Sequence, residues 1–486
     1  MLGRACNKAI LGVYILAFAI IAAITGINVP FAVFFVYSLV CSLIALKLDI
    51  KGRHFGLLLF VFAFFLRAVC VVLIKTPPDS DFKLMYDAAQ SFARGDYSFN
   101  QYDYFYDWAY QSVFVIYQGT VIKIFGAGYG IWALKFLNAI YSSASCLLIY
   151  LIARNFVRDK TARFCSLVCA GLVFPMTFVT VLTNQHLSGF LALLGLFIIT
   201  DENIKTGGIL RHVLAGFFIA LSNIIRPEGI LLLGALLAVY LIRLLKPKNE
   251  KRGKIVMRYI ILLAVYLATN FLASQAVIYS GVNPEGLKNN NVLWKFVQGL
   301  NYETKGTYSQ DDYLLVYKSG YSREERKQIE LSLIKERLAM GPDKWIKLIL
   351  YKQYYLWGKS PLYWTYRFLK DTKPSVNLLG IQMPFDTATD ILDDTHSMQM
   401  FILILLSMIG AAFNLKDKPD EKVLLYFLIV LFTAGIYAFI EVQMRYVYFA
   451  QHILVILAAT GLEAILKFAA GLRVLTDQTQ NRVGDT

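Results

Sequence analysis

Apolar runs of about 20 residues recur along most of this 486-residue chain. A run of that length crosses a hydrocarbon core roughly 30 Å thick as one α-helix. The pattern therefore predicts an all-α polytopic membrane protein with about twelve spans, at residues 9–27, 31–47, 55–74, 131–153, 163–182, 185–200, 210–225, 229–245, 259–279, 398–414, 423–440 and 446–466.

The spans fall into three groups separated by two long polar segments. Residues 1–74 hold three spans, residues 131–279 six, and residues 398–466 three more. Between them lie a first loop at 75–130 and a large loop at 280–397, and residues 467–486 form a tail.

The distribution of charge predicts the orientation in the membrane. The chain is 57% hydrophobic and only 17% charged, and its formal net charge of +15 comes from short Lys and Arg clusters between apolar runs. Such clusters mark cytoplasmic loops, so both termini and the tail are predicted to be cytoplasmic and both long loops external. Clusters of this kind at the membrane surface do not indicate a nucleic-acid partner.

The two external loops contain amphipathic stretches that predict helices lying along the membrane surface. In the first loop these are residues 82–94 and 113–125, and the glycines within 126–130 are predicted to turn the chain into the next span. In the second loop they are residues 323–340 and 343–357, separated by a Gly-Pro pair. Tyr and Trp residues with polar tips are frequent in both loops and favour the headgroup level.

Asp79 and Asp81 are the first candidates for chemistry. They follow Pro77-Pro78 directly after an apolar run, at the predicted boundary between lipid and water. A carboxylate there can act as a general base or simply be a solvated helix end. The pair could also share a divalent cation such as Mg²⁺ or Mn²⁺, although two ligands are a weak metal signal.

Several other polar residues allow a structural or a functional interpretation. Arg226 and Arg445 lie at predicted external helix ends, where Arg either reaches out to headgroups or binds an anionic ligand. Arg67 lies within a span and is predicted to face a cavity or to extend outward. His186 is a possible ligand or proton shuttle, but a lone His near a helix end is more often only hydrogen-bonded.

The order of several motifs resembles the GT-C glycosyltransferases, closest to the protein O-mannosyltransferase and lipid A aminoarabinose transferase type. After the acidic motif come Tyr86, Gly95-Asp96-Tyr97 and Lys135-Phe136-Leu137-Asn138-Ala139, then Arg226-Pro227-Glu228-Gly229 and Glu441-Val442-Gln443-Met444-Arg445-Tyr446. The resemblance implies a GT-C-like bundle, a polyprenyl-phosphate-sugar donor and transfer on the external face. It also implies that Asp81, or as second choice Asp79, is the catalytic base.

The resemblance assigns further residues to the site. Arg226 and Arg445 would bind the lipid phosphate, and Tyr86, Glu228, Glu441 and His186 would contact substrate. The chain also departs from the pattern, because residues 108–117 contain no proline and because Asn184, Gln185 and His186 stand where some relatives carry an acidic residue. These departures bear on the metal and on the acceptor.

The leading hypothesis is thus an inverting transferase of the cell membrane that moves a sugar from a polyprenyl-phosphate donor onto a hydroxyl group. The acceptor can be a glycan, a glycolipid or a protein. The alternatives are a lipid or sugar flippase or transporter, and a polysaccharide polymerase or ligase. A transporter is expected to show internal repeats and polar residues at mid-membrane depth, whereas here the polar residues concentrate in two unequal external loops.

Overall fold

The computed structural model describes residues 2–25, 52–201, 208–245, 251–369, 375–378, 381–416 and 421–484. These residues form α-helices and one short hairpin. The helices before the large loop are α1 (Leu2–Thr25), α2 (Gly52–Leu73), α3 (Asp81–Ala93), α4 (Asp103–Asp107), α5 (Ser112–Ala153), α6 (Asp159–Ala170), α7 (Val173–Thr177), α8 (Gln185–Thr200), α9 (Gly208–Ile225), α10 (Gly229–Leu244) and α11 (Arg252–Tyr279).

The large loop and the C-terminal group are also mainly helical. Their elements are α12 (Val292–Gly299), α13 (Gln310–Val316), α14 (Arg323–Leu338), α15 (Pro342–Trp357), α16 (Tyr363–Tyr366), α17 (Phe385–Lys416), α18 (Glu421–Phe439) and α19 (Tyr448–Gly484), with 3₁₀ turns at Ser98–Gln101, Ala109–Gln111, Phe178–Thr180 and Met444–Val447. The hairpin pairs β1 (Ser375–Leu378) antiparallel with β2 (Ile381–Pro384), and Leu378 faces Ile381 at its turn. The sequence pattern did not predict this hairpin.

The prediction of a polytopic all-α protein is confirmed. Within the described ranges, eight helices are long and apolar enough to cross a membrane, or nine if one bent pair counts as a span. Two shorter apolar helices, α8 and α10, match the predicted spans 185–200 and 229–245. Every predicted span thus corresponds to a helix except 31–47, which lies outside the described residues.

The predicted span 163–182 is broken rather than continuous. Helix α6 ends at Ala170, and the chain bends by 54° before it continues through residues 173–180. The backbone groups freed by the bend find partners on other helices: Arg67 donates to the Ala170 carbonyl (3.1 Å), and Gln399 donates to the Gly171 carbonyl (3.2 Å). Such side-chain partners are what make a break tolerable inside a membrane bundle.

Arg67 takes up neither of the positions expected for it. It is fully buried, and its guanidinium donates to Ser142 Oγ (2.8 Å) as well as to the carbonyls of Ala63 and Ala170. It therefore neither extends outward nor faces an open cavity, and its charge lies at the C-terminal end of α6, where the helix dipole favours a cation.

The four stretches predicted to form surface helices are helical, and their position along the membrane stays a prediction. Helix α3 ends before Gly95, whose positive φ of 81° suits a left-handed cap. The outer half of α5 matches the predicted helix 113–125, and Gly126 (φ 77°) interrupts the helical geometry before the spanning half. Helices α14 and α15 match the two predictions in the large loop, and α15 begins at Pro342.

Close packing holds α3 against α5. A Cβ at Gly119 of α5 would lie 2.8 Å from the carbonyl oxygen of Ala89 and 2.5 Å from the Phe92 ring. Only glycine allows this approach. The contact fixes the direction of α3, whose first residue is Asp81.

Candidate functional site

One side of the candidate site is the turn that carries Asp79 and Asp81. Helix α3 begins at Asp81, and the preceding Ser80 has a positive φ of 51°, which is unusual for a residue with a side chain. Upstream, the Thr76 hydroxyl donates to the Thr365 carbonyl (2.7 Å), and Lys135 Nζ donates to the Thr76 carbonyl (2.7 Å). The backbone strain at Ser80 persists because contacts such as these hydrogen bonds determine the local conformation.

The two aspartates have different surroundings. The Asp79 carboxylate forms an ion pair with Arg367, which follows α16. Asp81 is exposed, and within the described residues its carboxylate makes no hydrogen bond or ion pair. Of the two, Asp81 has the carboxylate that is available to a substrate.

Arg445 lies beside the Asp81 turn. Its guanidinium carbon is 4.6 Å from the ring centroid of Phe82, the residue after Asp81, and 4.9 Å from that of Trp364. Nε donates to Gln443 Oε1 (2.6 Å). Among the described residues, Arg445 has no carboxylate partner, so it offers a buried positive charge to a ligand.

Tyr104 from the first loop faces the same region. Burial raises the pKa of its phenol well above the ordinary value, the Asp81 carboxylate raises it further, and Arg445 opposes the shift. Tyr104 therefore remains a neutral hydroxyl within electrostatic range of both the candidate base and the arginine.

A second cation, Lys295 of α12, pairs with Glu441. The Glu441 amide donates to the Lys295 carbonyl (2.7 Å), and Gln443 Nε2 donates to Glu441 Oε1 (2.8 Å). Burial alone would lower the pKa of Lys295, but the Glu441 carboxylate raises it above its usual value. Conversely, burial would raise the pKa of Glu441, and Lys295 lowers it. Both groups are therefore charged at neutral pH.

The third cation, Arg226, follows α9 and pairs with Glu228. Its Nη1 also donates to Asn184 Oδ1 (3.4 Å). Burial opposes the charge of Arg226, but Glu228 raises the pKa of the guanidinium above its ordinary value. The Arg226 guanidinium therefore stays charged although it is largely removed from water.

The ring of Tyr446 brings the three cations together. Its centroid is 5.1 Å from the Arg226 guanidinium carbon, 5.6 Å from that of Arg445 and 6.0 Å from Lys295 Nζ. These distances are within the range of cation–π attraction. We call Arg226, Lys295 and Arg445 the cation cluster. With Glu228 and Glu441, it has three positive and two negative groups, and so one formal positive charge in excess.

The structure thus brings together five of the predicted site residues, namely Asp81, Arg226, Glu228, Glu441 and Arg445, with Asp79 in the same turn as Asp81. Tyr86 is on α3 but is packed among the core side chains. His186 is fully buried, and both ring nitrogens are engaged, with the Tyr448 hydroxyl (2.7 Å) and the Phe178 carbonyl (3.1 Å). Substrate contact by these two residues stays a prediction to which the geometry adds no support.

Sequence reasoning missed Lys295 as a site residue. It is one lysine in a long polar loop, and its closeness to Glu441 depends on how α12 packs against the turn after α18. The only local signal is its position beside Trp294 and Phe296, since an apolar helix face is an unusual place for a solvated lysine.

The divalent metal stays a prediction, and the residues as placed offer it few ligands. Asp79 is engaged by Arg367, and no group of three His, Cys, Asp or Glu side chains in the described part of the chain could hold a metal ion. The mechanism proposed below has no metal-dependent step.

Comparisons with known proteins gave matches among solved structures only. No protein-family model and no curated protein matches the sequence. The structural matches include the archaeal oligosaccharyltransferase AglB from Archaeoglobus fulgidus in complex with an inhibitory peptide and a dolichol-phosphate, at 14% identity and a TM-score of 0.48, over 88% of this chain and 52% of that one. A second structure of the A. fulgidus enzyme, tethered to an acceptor peptide with an NVT sequon, matches at 13% identity and a TM-score of 0.48, over 87% and 51%.

A third structure, the same enzyme's complex with Zn and sulfate, matches at 14% identity and a TM-score of 0.41, over 75% and 42%. This chain spans about half the length of the first two matched proteins. The matched enzyme is a GT-C fold glycosyltransferase, the class that the sequence resembles. The TM-scores are too low for the likeness to carry an argument about the site.

Proposed function

We propose that this protein is a membrane glycosyltransferase that takes a sugar from a polyprenyl-phosphate donor and transfers it, with inversion, to a hydroxyl group. The observation that carries the proposal is the gathering of three cations around Tyr446, next to a turn with a free carboxylate. The family resemblance of the motif order supports it independently.

The charge of the cation cluster matches the proposed donor. A sugar joined to a polyprenol through one phosphate is a phosphodiester with a single negative charge, and the cluster has one positive charge in excess of its carboxylates. Arg445 supplies that charge without giving up an ion pair. Guanidinium groups bind phosphate oxygens through fork-shaped hydrogen bonds, which also fix the orientation of the phosphate.

The reaction follows from this placement. Asp81 accepts the proton of the acceptor hydroxyl, the oxygen attacks the anomeric carbon, and the bond from that carbon to the phosphate oxygen breaks. Attack opposite to the leaving group inverts the anomeric centre. The departing lipid phosphate gains a second negative charge, and a preorganised set of cations stabilises that charge as it develops.

The predicted orientation puts this reaction on the external face of the cell membrane, where the two long loops meet the end of the bundle. A donor with a polyprenyl tail stays in the bilayer while its phosphate reaches the cluster at the helix ends. The acceptor, a glycan, glycolipid or protein, approaches from the loops.

One experiment separates the enzyme from the two alternative classes. Full-length protein in proteoliposomes receives undecaprenyl-phosphate-linked radiolabelled hexoses together with an acceptor extract from envelope membranes. A glycosyltransferase moves the label from the lipid to the extract and releases undecaprenyl phosphate in equal amount. A flippase changes the leaflet of the labelled lipid without cleaving it, and a polymerase or ligase transfers chains rather than single hexoses. Intact donor after incubation with every hexose would overturn the proposal.

A further inference from the structure

A pair of exposed tyrosines lies next to the candidate site and is not used by the reaction proposed above. Tyr308 and Tyr313 keep 49% and 41% of their surface exposed, and their ring centroids are 6.4 Å apart. The Tyr308 hydroxyl donates to the side-chain oxygen of Gln310 (3.0 Å). Exposed large aromatic side chains in a pair are a feature of binding surfaces rather than of a solvated loop.

The pair is joined to the site through the backbone. The amide of Val442 donates to the carbonyl of Gly306 (2.9 Å), so the segment that follows Glu441 lies beside the segment that precedes Tyr308. The Tyr308 hydroxyl also lies within electrostatic range of two site carboxylates: after burial and the neighbouring Tyr313, Asp81 and Glu441 raise its pKa. Tyr308 therefore lies within electrostatic range of the candidate base, on a segment that is hydrogen-bonded to the chain after Glu441.

The surface behind the tyrosines is rigid. Tyr313 stacks on Tyr317 with centroids 4.8 Å apart and ring planes 21° apart, and Tyr317 meets the buried Trp294 edge-on at 5.5 Å. The Tyr317 hydroxyl donates to Asp107 (2.7 Å) of the first loop. Aromatic contacts of this kind hold the exposed rings in one orientation.

Helix α13, which carries Tyr313, is fixed at its start as well. The Ser309 hydroxyl caps the helix by accepting from the Asp312 amide (3.2 Å). The Asp312 carboxylate in turn accepts from Arg337 Nη2 (2.7 Å) and from Asn301 Nδ2 (2.8 Å). A surface held in this way loses little conformational freedom when a ligand binds, which favours affinity.

We propose that Tyr308 and Tyr313 form a binding surface for a saccharide acceptor, so that the acceptor of the proposed transfer is a glycan or glycolipid rather than a peptide. This inference rests on the proposed function, since it names the substrate that approaches Asp81. A pyranose presents a face of C–H groups with partial positive charge, which packs against the negative face of an aromatic ring. Polar groups such as Gln310 and the exposed Asp311 lie beside the rings, where sugar hydroxyl groups need partners.

The test measures saccharide binding separately from donor cleavage. Full-length protein in nanodiscs is mixed with maltohexaose, chitohexaose or a Ser/Thr-rich decapeptide, and contact is detected by saturation-transfer NMR. We expect one of the hexasaccharides to give a signal with the wild-type protein. The signal is expected to be lost in Tyr308→Ala and Tyr313→Ala and to be retained in Tyr308→Phe.

The matched control is Tyr279→Ala, because Tyr279 is 85% exposed at the end of α11 and has no part in this surface. Once an acceptor is in hand, the alanine variants should raise its KM about tenfold, the effect of losing one aromatic contact of about 1.5 kcal/mol, and leave the KM of the donor unchanged. Binding of the peptide alone, no hexasaccharide binding to wild type, or saccharide binding that survives Tyr308→Ala and Tyr313→Ala would overturn the inference. Donor cleavage by the same preparation, assayed without saccharide, reports on the proposed function independently.

Discussion

The contrast between Asp81 and Asp79 gives the sharpest test of the candidate base. Replacing Asp81 with Asn keeps the shape of the side chain and removes its ability to accept a proton. General-base catalysis contributes about 10²- to 10⁴-fold to a rate, so kcat should fall by that factor, equivalent to about 3–5 kcal/mol of barrier. Because Asp81 is exposed and has no partner among the described residues, its replacement should change the free energy of unfolding by less than about 0.5 kcal/mol.

The matched control is Asp79→Asn. Asp79 is two residues away in the same turn, but it pairs with Arg367, which also stacks on Trp364. Its loss should weaken that local packing by less than about 1 kcal/mol, because a partly exposed ion pair contributes little. The rate should fall less than about tenfold.

The assay is single-turnover release of labelled undecaprenyl phosphate by protein in proteoliposomes, with thermal unfolding followed on the same samples. If Asp81→Asn turned over within about threefold of wild type while Asp79→Asn was inactive, the roles assigned to the two carboxylates would be reversed. Equal and near-normal rates for both variants would remove the acidic turn from the mechanism.

Three further predictions concern the stability of the scaffold. A Cβ at Gly461 of α19 would lie 1.8 Å from the carbonyl oxygen of Leu406, so Gly461→Ala should lower the free energy of unfolding by about 1–3 kcal/mol through overpacking. An unchanged melting temperature in detergent would contradict this. Arg67→Met removes the donor to the Ala170 carbonyl and should lower the free energy of unfolding by about 1–3 kcal/mol for each polar group left unpaired, and Arg67→Lys should restore part of this loss. Equal stability of the Met variant and the wild type would show that the bend needs no side-chain partner. Burial raises the pKa of Glu330 to about 7, so its stabilising contribution is complete below its unfolded value of 4.5 and is lost as the pH rises through 7; the protection factors of the α14 amides, corrected for the pH dependence of intrinsic exchange, should therefore fall from pH 5 to pH 8 in the wild type but not in Glu330→Gln.

Most of the scaffold could be predicted from the sequence because a membrane span needs only length and apolarity. Those two properties are local, and every predicted span within the described residues falls on a helix, although α17 begins at Phe385 rather than at residue 398 and α11 at Arg252 rather than at residue 259. The bend in 163–182 was missed because it depends on Arg67 and Gln399, which lie on helices distant in sequence and satisfy the freed carbonyls. The hairpin at 375–384 was missed for a similar reason, since four-residue strands leave almost no periodicity to detect.

The site could be predicted only in part. Arg226 and Arg445 were identifiable because each lies at a predicted external helix end, where a positive residue runs against the usual charge asymmetry of membrane proteins. Lys295 lacks that charge-asymmetry signal, because it is one lysine in a long polar loop, and only its position between Trp294 and Phe296 sets it apart. Its role follows from a contact with Glu441 that joins positions 146 residues apart. The family resemblance ranked Asp81 above Asp79, but the physical difference between the two carboxylates, the position of Arg367, could not be predicted from the sequence.

In the proposed reaction, the ion pairs of the cations determine at which step each cation stabilises the phosphate. Arg445 forms no ion pair with a carboxylate of the described residues and can bind the singly charged phosphodiester of the donor directly. Arg226 and Lys295 are already neutralised by Glu228 and Glu441, so they attract a single negative charge only weakly. As the sugar leaves, the phosphate doubles its charge, and the attraction of all three cations for it increases. Cations that gain most of their interaction in the transition state raise kcat rather than tighten substrate binding. The ion pairs therefore hold Arg226 and Lys295 in place around Tyr446 until the bond breaks. Loss of Lys295 should lower kcat more than it raises the KM of the donor. Loss of Arg445 should change both kcat and the KM of the donor.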